Sequence, residues 1–313
     1  MKASSRVTRV VQVVASVALL ALAVAIAKPG RLAAAFRAAN ARWLLFSLAF
    51  VPVLIALRVS RWHIITRSRR PEIALSESFH SYMGGLTLAT VTPLAAGELA
   101  RGALAAPDDK AGFVGLTIFD KVIDAMTLYV FACAGFVVVT SGWARLVGLA
   151  AMAAGFAGWA AAGAIAGALE KRLPASRVTN ALSRAIAAAR AVRASVFVRC
   201  FLVATANLAL YYAHLYVIMY AFSPTIRPEA VGLFPLITLS RVVPSVAGLG
   251  ARELTAVALF ANARYEVTGT AAMEAALLQF VTVNVLPAAV WLAASSGLGR
   301  LARMIRGTGG DGD

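Results

Sequence analysis

Six runs of this 313-residue chain are apolar over all or most of the roughly 20 residues that a helix needs to cross a bilayer. They are Val10–Ala27, Trp43–Leu57, Phe113–Thr140, Leu146–Leu169, Val196–Phe222 and Ala271–Leu298. In hydrocarbon every backbone N–H and C=O must be satisfied by protein, so runs of this length and composition take the form of helices. The expected fold is an all-α polytopic membrane protein with about six spanning helices. Trp43–Leu57 is short and needs its flanks to span. Val10–Ala27 has a second reading as a secretory signal, because Lys2, Arg6 and Arg9 precede an apolar core ending in Ala25-Ile26-Ala27. Its apolar stretch is longer than a usual signal core, which favours retention as a helix.

Two further segments, Phe79–Leu104 and Ala230–Phe260, are apolar at their ends and interrupted in the middle by Pro and Gly. They carry a repeated phrase, "TLATVTPLAAGELAR" from Thr87 to Arg101 and "TLSRVVPSVAGLGAR" from Thr238 to Arg252, offset by 151 residues. Eight of the 15 positions are identical, and roughly one such match arises by chance in an alanine-rich chain of this length. The context weighs more than the count. Both copies fall on interrupted apolar segments, half a chain apart, and the shared positions include Pro and Gly. Broken helices survive at membrane depth only where the freed backbone groups are buried in protein or line a wet cavity. Paired interruptions in corresponding halves are the sequence pointer to a transporter's substrate site. Pro93, Gly97, Pro244, Gly248 and Gly250 are the expected hairpin breaks. The predicted organisation is two inverted membrane half-repeats, residues 1–142 and 143–299, each with a re-entrant hairpin, followed by a cytoplasmic tail, 300–313.

The chain is 60% hydrophobic, only 14% charged, and has a mean hydropathy of +0.79, the membrane class by composition. Its net charge of +16 points to membrane surface rather than nucleic acid, because the basic residues sit between apolar runs where loops meet anionic headgroups. With the N-terminus cytoplasmic and both hairpins re-entrant, 20 of the 30 basic residues fall on the cytoplasmic side, as the positive-inside rule prefers. Both termini are then cytoplasmic, in a bacterial inner membrane. The segment Arg177–Arg199 reads as a basic amphipathic helix on the inner leaflet. Arg58, Arg61 and Trp62 read as a cytoplasmic anchor closing the second span. Cys133 and Cys200 lie in apolar stretches, without a zinc or disulfide spacing. His63, His80 and His214 form no metal motif, so neither metal nor cofactor is expected.

Four stretches taken in order resemble a known family: "LRVSRWHII" (Leu57–Ile65), "TPLAAGELARGALA" (Thr92–Ala105), "FDKVIDAMTL" (Phe119–Leu128) and "VPSVAGLGARELTAV" (Val243–Val257). The chain resembles, over essentially its whole length, the flippase-like integral membrane family that includes the membrane part of lysylphosphatidylglycerol synthase. That family carries P-x-x-x-G-E-x-x-R, then an acidic/basic-x-x-D element on the next helix, then P-x-x-x-G-x-G-x-x-E. Pro93, Gly97, Glu98 and Arg101, then Asp120, Lys121 and Asp124, then Pro244, Gly248, Gly250 and Glu253 occupy those places. Asp-Lys stands where Glu-Arg is commoner, and Ala96 and Ala247 stand where Gly is frequent. The resemblance implies a membrane protein that moves or handles polar lipids. The synthase's soluble aminoacyl-transferase domain has no counterpart before Asp313, so lysyl transfer is not expected.

Ionisable groups inside a membrane are costly and mark functional sites by default. Asp120 and Asp124 share a helix face at i,i+4, where two negative charges repel. Either one is protonated or a cation such as Arg101 sits between them, and the group serves as a transport site or as a salt-bridge network holding hairpin to helix. Arg101 and Arg252 are expected to capture phosphate, which suits the guanidinium fork. Glu98 and Glu253 are their ion partners or proton-coupling groups, and Arg241 either holds a headgroup or neutralises Glu253. Asn207, Tyr211, Tyr212, His214 and Asn284 read as polar glue between helices. The function expected is transport of a phosphate-bearing polar lipid, a phospholipid or a polyprenyl-phosphate-linked one, with membrane lipids as partners and no enzymatic activity. The alternatives are a small-solute transporter or channel, and a non-transporting partner of a cell-envelope biosynthetic enzyme.

Overall fold

The computed structural model describes residues 37, 39–90, 92, 97–170, 187–188, 191–240, 251–260 and 264–294. Among these the chain is helical and carries no strand. Four helical stretches are long and apolar enough to cross a membrane: Ala41–Arg67, Lys110–Val139, Ala194–Phe222 and Gly269–Ala293. The expected span Val10–Ala27 and the tail 300–313 lie outside the described residues.

The first stretch is two helices in series, α1 (Ala41–Leu48) and α2 (Phe50–Arg67). Asn40 caps α1 by accepting the Arg42 N–H. The step at Ala49 has a cause in Pro52, which has no N–H to offer the Leu48 carbonyl. The run is longer than the sequence reading of Trp43–Leu57, because Arg58 and Arg61 do not end it.

The first interrupted segment forms α3 (Leu75–Ala89) and α4 (Gly97–Ala105). At 1.5 Å per residue these measure about 22 Å and 14 Å, and neither alone crosses a core of about 30 Å. The two helices pack against each other at glycines. A Cβ on Gly97 would fall on the Leu88–Ala89 peptide, and one on Gly85 would fall on the Arg101 side chain. The start of α4 is tied back to α3 by the Gly97 N–H, which donates to the Thr92 hydroxyl at 2.7 Å. Both outer ends of the pair meet the residues just after α2: Arg70 reaches Glu77 at 3.6 Å and Arg69 reaches Asp109 at 2.5 Å. Asp109 also caps α5 (Lys110–Val139) by accepting the Gly112 N–H at 3.2 Å.

Helix α6 (Trp143–Glu170) returns, and α7 (Ala194–Phe222) is the third long apolar helix. Only part of the expected amphipathic helix Arg177–Arg199 is described. Its last six residues, Ala194–Arg199, belong to α7, and Arg193 is extended at the N-cap, so the basic run is not one continuous helix. A 3-10 turn (Pro228–Leu233) leads into α8 (Phe234–Leu239), and α9 (Ala251–Leu259) follows. Pro244, Gly248, Gly250 and Arg241 lie outside the described residues, as does Pro93. The two ends of this second segment also meet each other. The Arg227 N–H donates to the Tyr265 carbonyl at 3.2 Å and its guanidinium reaches Glu266 at 2.8 Å.

The last stretch is α10 (Gly269–Phe280), capped by Thr268, a widened π turn (Val281–Val285), and α11 (Leu286–Ala293). Pro287 accounts for the widening, since its ring crowds the carbonyl four residues back and removes one ladder bond. Two apolar clusters hold the bundle. One joins Trp62, Ile65, Met83, Leu86, Phe113 and Leu116 of the α2–α5 region. The other joins Tyr212, Leu215, Met219 and Phe234 to the small face of α10, Ala272, Ala275 and Ala276. Small residues allow close helix approach where lipid gives no hydrophobic drive. Leu45, Phe46, Leu146, Leu202 and Leu254 stay exposed, as surfaces facing lipid do.

Candidate functional site

A cavity of about 450 Å³ lies between the two clusters, with walls from α2, α3, α4, α5, α7, α8 and the π turn. Asp124 is the 15th of 30 residues in α5, and Asn207 the 14th of 29 in α7, so the cavity sits at mid-helix depth.

Its ionic wall is a chain of alternating charges. Arg101 of α4 pairs with the Asp120 carboxylate of α5. The other Asp120 oxygen meets Arg61 Nε at 2.7 Å, and Arg61 Nη1 meets Asp124 at 2.6 Å. Asp124 continues to Lys121 Nζ at 3.1 Å, and Lys121 closes on Glu98. Six side chains from three helices thus alternate cation and anion and sum to zero charge. The alternation is what allows them in a low-dielectric interior, where a lone charge is prohibitive and a paired one is tolerable. The inner end is sealed: the Arg61, Arg101 and Asp120 side chains are 8%, 4% and 1% exposed. The outer end is open, with Asp124 and Lys121 at 40%. Arg101 also lies over the Trp62 and Tyr82 rings, 4.5 and 5.5 Å from their centroids, within cation–π range.

The i,i+4 carboxylates do have a cation between them, and it is Arg61 rather than Arg101. The anchor reading of Arg61 and Trp62 is thereby corrected. Arg61 is an internal bridge, and Trp62 is fully buried with its indole N–H donating to Ser81 at 2.9 Å. A sequence signal for this existed. Apolar Trp62, Ile64 and Ile65 continue past Arg61, so the arginine is within the helix and not at its exit.

Among the described residues the other wall is polar and carries one charged side chain. Arg58 lines it, with Nε donating to Asn207 Oδ1 at 3.4 Å and the Tyr211 ring 5.8 Å from its guanidinium carbon. Asn207 is fixed in turn, its amide donating to the Leu54 carbonyl at 3.2 Å. It is glue between α7 and α2, as expected, and also part of the cavity wall. Thr127, Thr238 and Asn284 complete this side.

Of the residues expected at the site, Glu98, Arg101, Lys121 and Asp124 line the cavity and Asp120 lies directly behind them. Arg252 and Glu253 are buried outside its wall. Arg252 donates to Gln279 Oε1 at 2.6 Å, and Gln279 donates to the Tyr211 carbonyl at 2.6 Å. Gln279, wholly buried, was not singled out by the sequence. Among the described residues no group of three or more His, Cys, Asp or Glu side chains is arranged to hold a metal ion. The carboxylates at the cavity are separated by cations.

These features define a polytopic helical membrane protein with a charge-lined cavity at the depth of the bilayer core. The family model described as "Lysylphosphatidylglycerol synthase TM region" matches residues 9–290. The chain belongs to that family, and is a transmembrane protein of a lipid-related class. No curated protein matches it.

Proposed function

We propose that the protein is a lipid flippase of a bacterial inner membrane, moving a phosphate-bearing polar lipid between leaflets through the cavity. One observation carries the reading: a cavity of about 450 Å³ with charged side chains in its lining at mid-helix depth, where the bilayer offers a lipid headgroup no other shelter. A headgroup needs a charged, hydrated path across hydrocarbon, while its tails do not. Family membership supports a role with lipids.

The two interrupted segments are proposed as re-entrant hairpins of inverted half-repeats. Support comes from their tethers. The α3–α4 pair begins and ends against Arg69 and Arg70, beyond the end of α2, whereas the second segment begins and ends around Arg227, Tyr265 and Glu266, near the end of α7. Helices α2 and α7 run in opposite directions, since Asn40 before α1 bonds Ala221 at the end of α7. The hairpins therefore enter from opposite ends. Arg67, Arg69, Arg70, Lys110 and Arg193 gather at the first end, which is assigned to the cytoplasm.

Headgroup translocation in proteoliposomes tests the function. Purified full-length protein should expose tail-labelled phosphatidylglycerol of the inner leaflet to an outside quencher faster than empty vesicles do. Equal rates remove the flippase reading. Cysteines at Glu77 and Asp108 should label from one side and cysteines at Glu229 and Arg264 from the other. Labelling of Glu77 and Asp108 from opposite sides overturns the hairpin.

A further inference from the structure

We propose that the polar wall of the cavity is a subsite for a phosphodiester monoanion, with Arg58 as its receptor and Asn207 as the residue that aims it. The cargo's being a lipid rests on the flippase reading; the anion and its receptor are inferred from the cavity itself.

The first argument is charge. Arg58, Arg61, Arg101 and Lys121 face the three carboxylates Glu98, Asp120 and Asp124. Each carboxylate is already shared with a cation of the alternating chain, so among the described residues one positive charge remains, on Arg58. A cation at membrane depth that no protein carboxylate meets is costly. Among the described residues no carboxylate lies within ion-pair distance of Arg58. A bound ligand with one net negative charge completes the balance of these described groups, whereas an uncharged ligand leaves them at plus one.

The second argument is geometry. Arg58 spends Nε on Asn207, and Asn207 is locked by Leu54 of the same helix as Arg58. Among the described residues, both terminal nitrogens of Arg58 are left without an acceptor. A guanidinium held at Nε and open at its two ends presents the planar fork that fits two phosphate oxygens. Arg101 is the opposite case: it is spent on Asp120 and sandwiched against Trp62 and Tyr82.

The third argument concerns the rest of the headgroup. Thr127 and Thr238 donate their hydroxyl protons to the Ile123 and Phe234 carbonyls, and Asn284 donates its amide to the Phe280 carbonyl. The two hydroxyls retain acceptor capacity, and Asn284 retains its amide oxygen together with one further N–H. The cavity around Arg58 thus offers acceptors to a ligand that brings hydrogen-bond donors. Together with the charge balance, this selects a phosphodiester bearing hydroxyls, such as a glycerol or sugar ester.

The test is binding by the full-length protein in detergent. The probes are short-chain phosphatidylglycerol, an uncharged short-chain glucosyl diacylglycerol, and glycerophosphoglycerol, the same headgroup without tails. Phosphatidylglycerol should bind about tenfold or more tighter than the uncharged lipid, the size of one charge-assisted contact. Arg58→Gln keeps a hydrogen-bonding amide beside Asn207 and removes the charge; it should bring phosphatidylglycerol down to the uncharged lipid's level with an unchanged unfolding midpoint. Asn207→Ala should weaken the same probe less and spare the uncharged one. Wild-type affinity for phosphatidylglycerol in Arg58→Gln, or no preference of the wild type for the anion, overturns the subsite. Glycerophosphoglycerol binding as tightly as the lipid supports the anion site and assigns its cargo to a soluble phosphodiester. Binding without translocation removes the flippase reading alone, and translocation that ignores Arg58 removes the subsite alone.

Discussion

The two interrupted segments use the same parts to different ends. Each places a nine-residue helix after its break, Gly97–Ala105 and Ala251–Leu259, with a buried arginine in it. In the first, Arg101 joins a carboxylate on the following helix, and the carboxylate recruits Arg61, Asp124, Lys121 and Glu98 into the cavity wall. In the second, Arg252 donates to the amide of Gln279, which passes the contact to the α7 backbone. A carboxylate can bridge two cations and thereby propagate a charged network, while the amide hands the contact on to neutral backbone. The first segment accordingly builds a charged surface that meets the cavity, and the second builds a joint between helices.

The largest effect that separates the two is expected from Asp120→Asn. It leaves Arg61 and Arg101 facing one another with half their compensation gone, and breaking a buried pair in this way costs about 3–5 kcal/mol. Thermal unfolding in detergent should show the largest drop of the series. Gln279→Leu removes the neutral counterpart and should cost about 1–3 kcal/mol, the penalty of an unsatisfied buried donor. A Gln279 effect equal to that of Asp120 would erase the distinction between the segments. Asp124→Asn acts at the open end of the network and should cost about 1 kcal/mol or less by the same assay, because solvent screens it. Arg58→Gln should shift stability by no more than about 0.5 kcal/mol, since it touches no ion pair. A large loss there would make Arg58 a structural residue and not a receptor.

The sequence made the spans legible because lipid leaves long apolar runs few alternatives, and Phe113–Thr140 and Val196–Phe222 lie within three residues of α5 and α7 at each end. Of the interruptions expected from Pro and Gly, the described residues include only the flanks of the first, where α3 ends at Ala89 and α4 is described from Gly97. The need for a cation between Asp120 and Asp124 was also readable, from i,i+4 spacing alone. Its identity was not, because it depends on how α2 packs across α5, and Arg61 lies 59 residues before Asp120 in the chain. Arg58 escaped for a related reason. Two arginines three residues apart at the end of an apolar run look alike in sequence, and only their neighbours make one a bridge and leave the other open. Gln279 carried no signal, being one amide in an alanine-rich helix whose partner comes from another part of the chain.

The most direct measurement is a cryo-electron microscopy structure of the protein in nanodiscs containing phosphatidylglycerol. The account predicts a phosphate at hydrogen-bond distance, about 3 Å, from the terminal nitrogens of Arg58, with Arg101 still paired to Asp120. A phosphate that displaces Asp120 from Arg101, or one seated on Arg252 with Arg58 unoccupied, would contradict it.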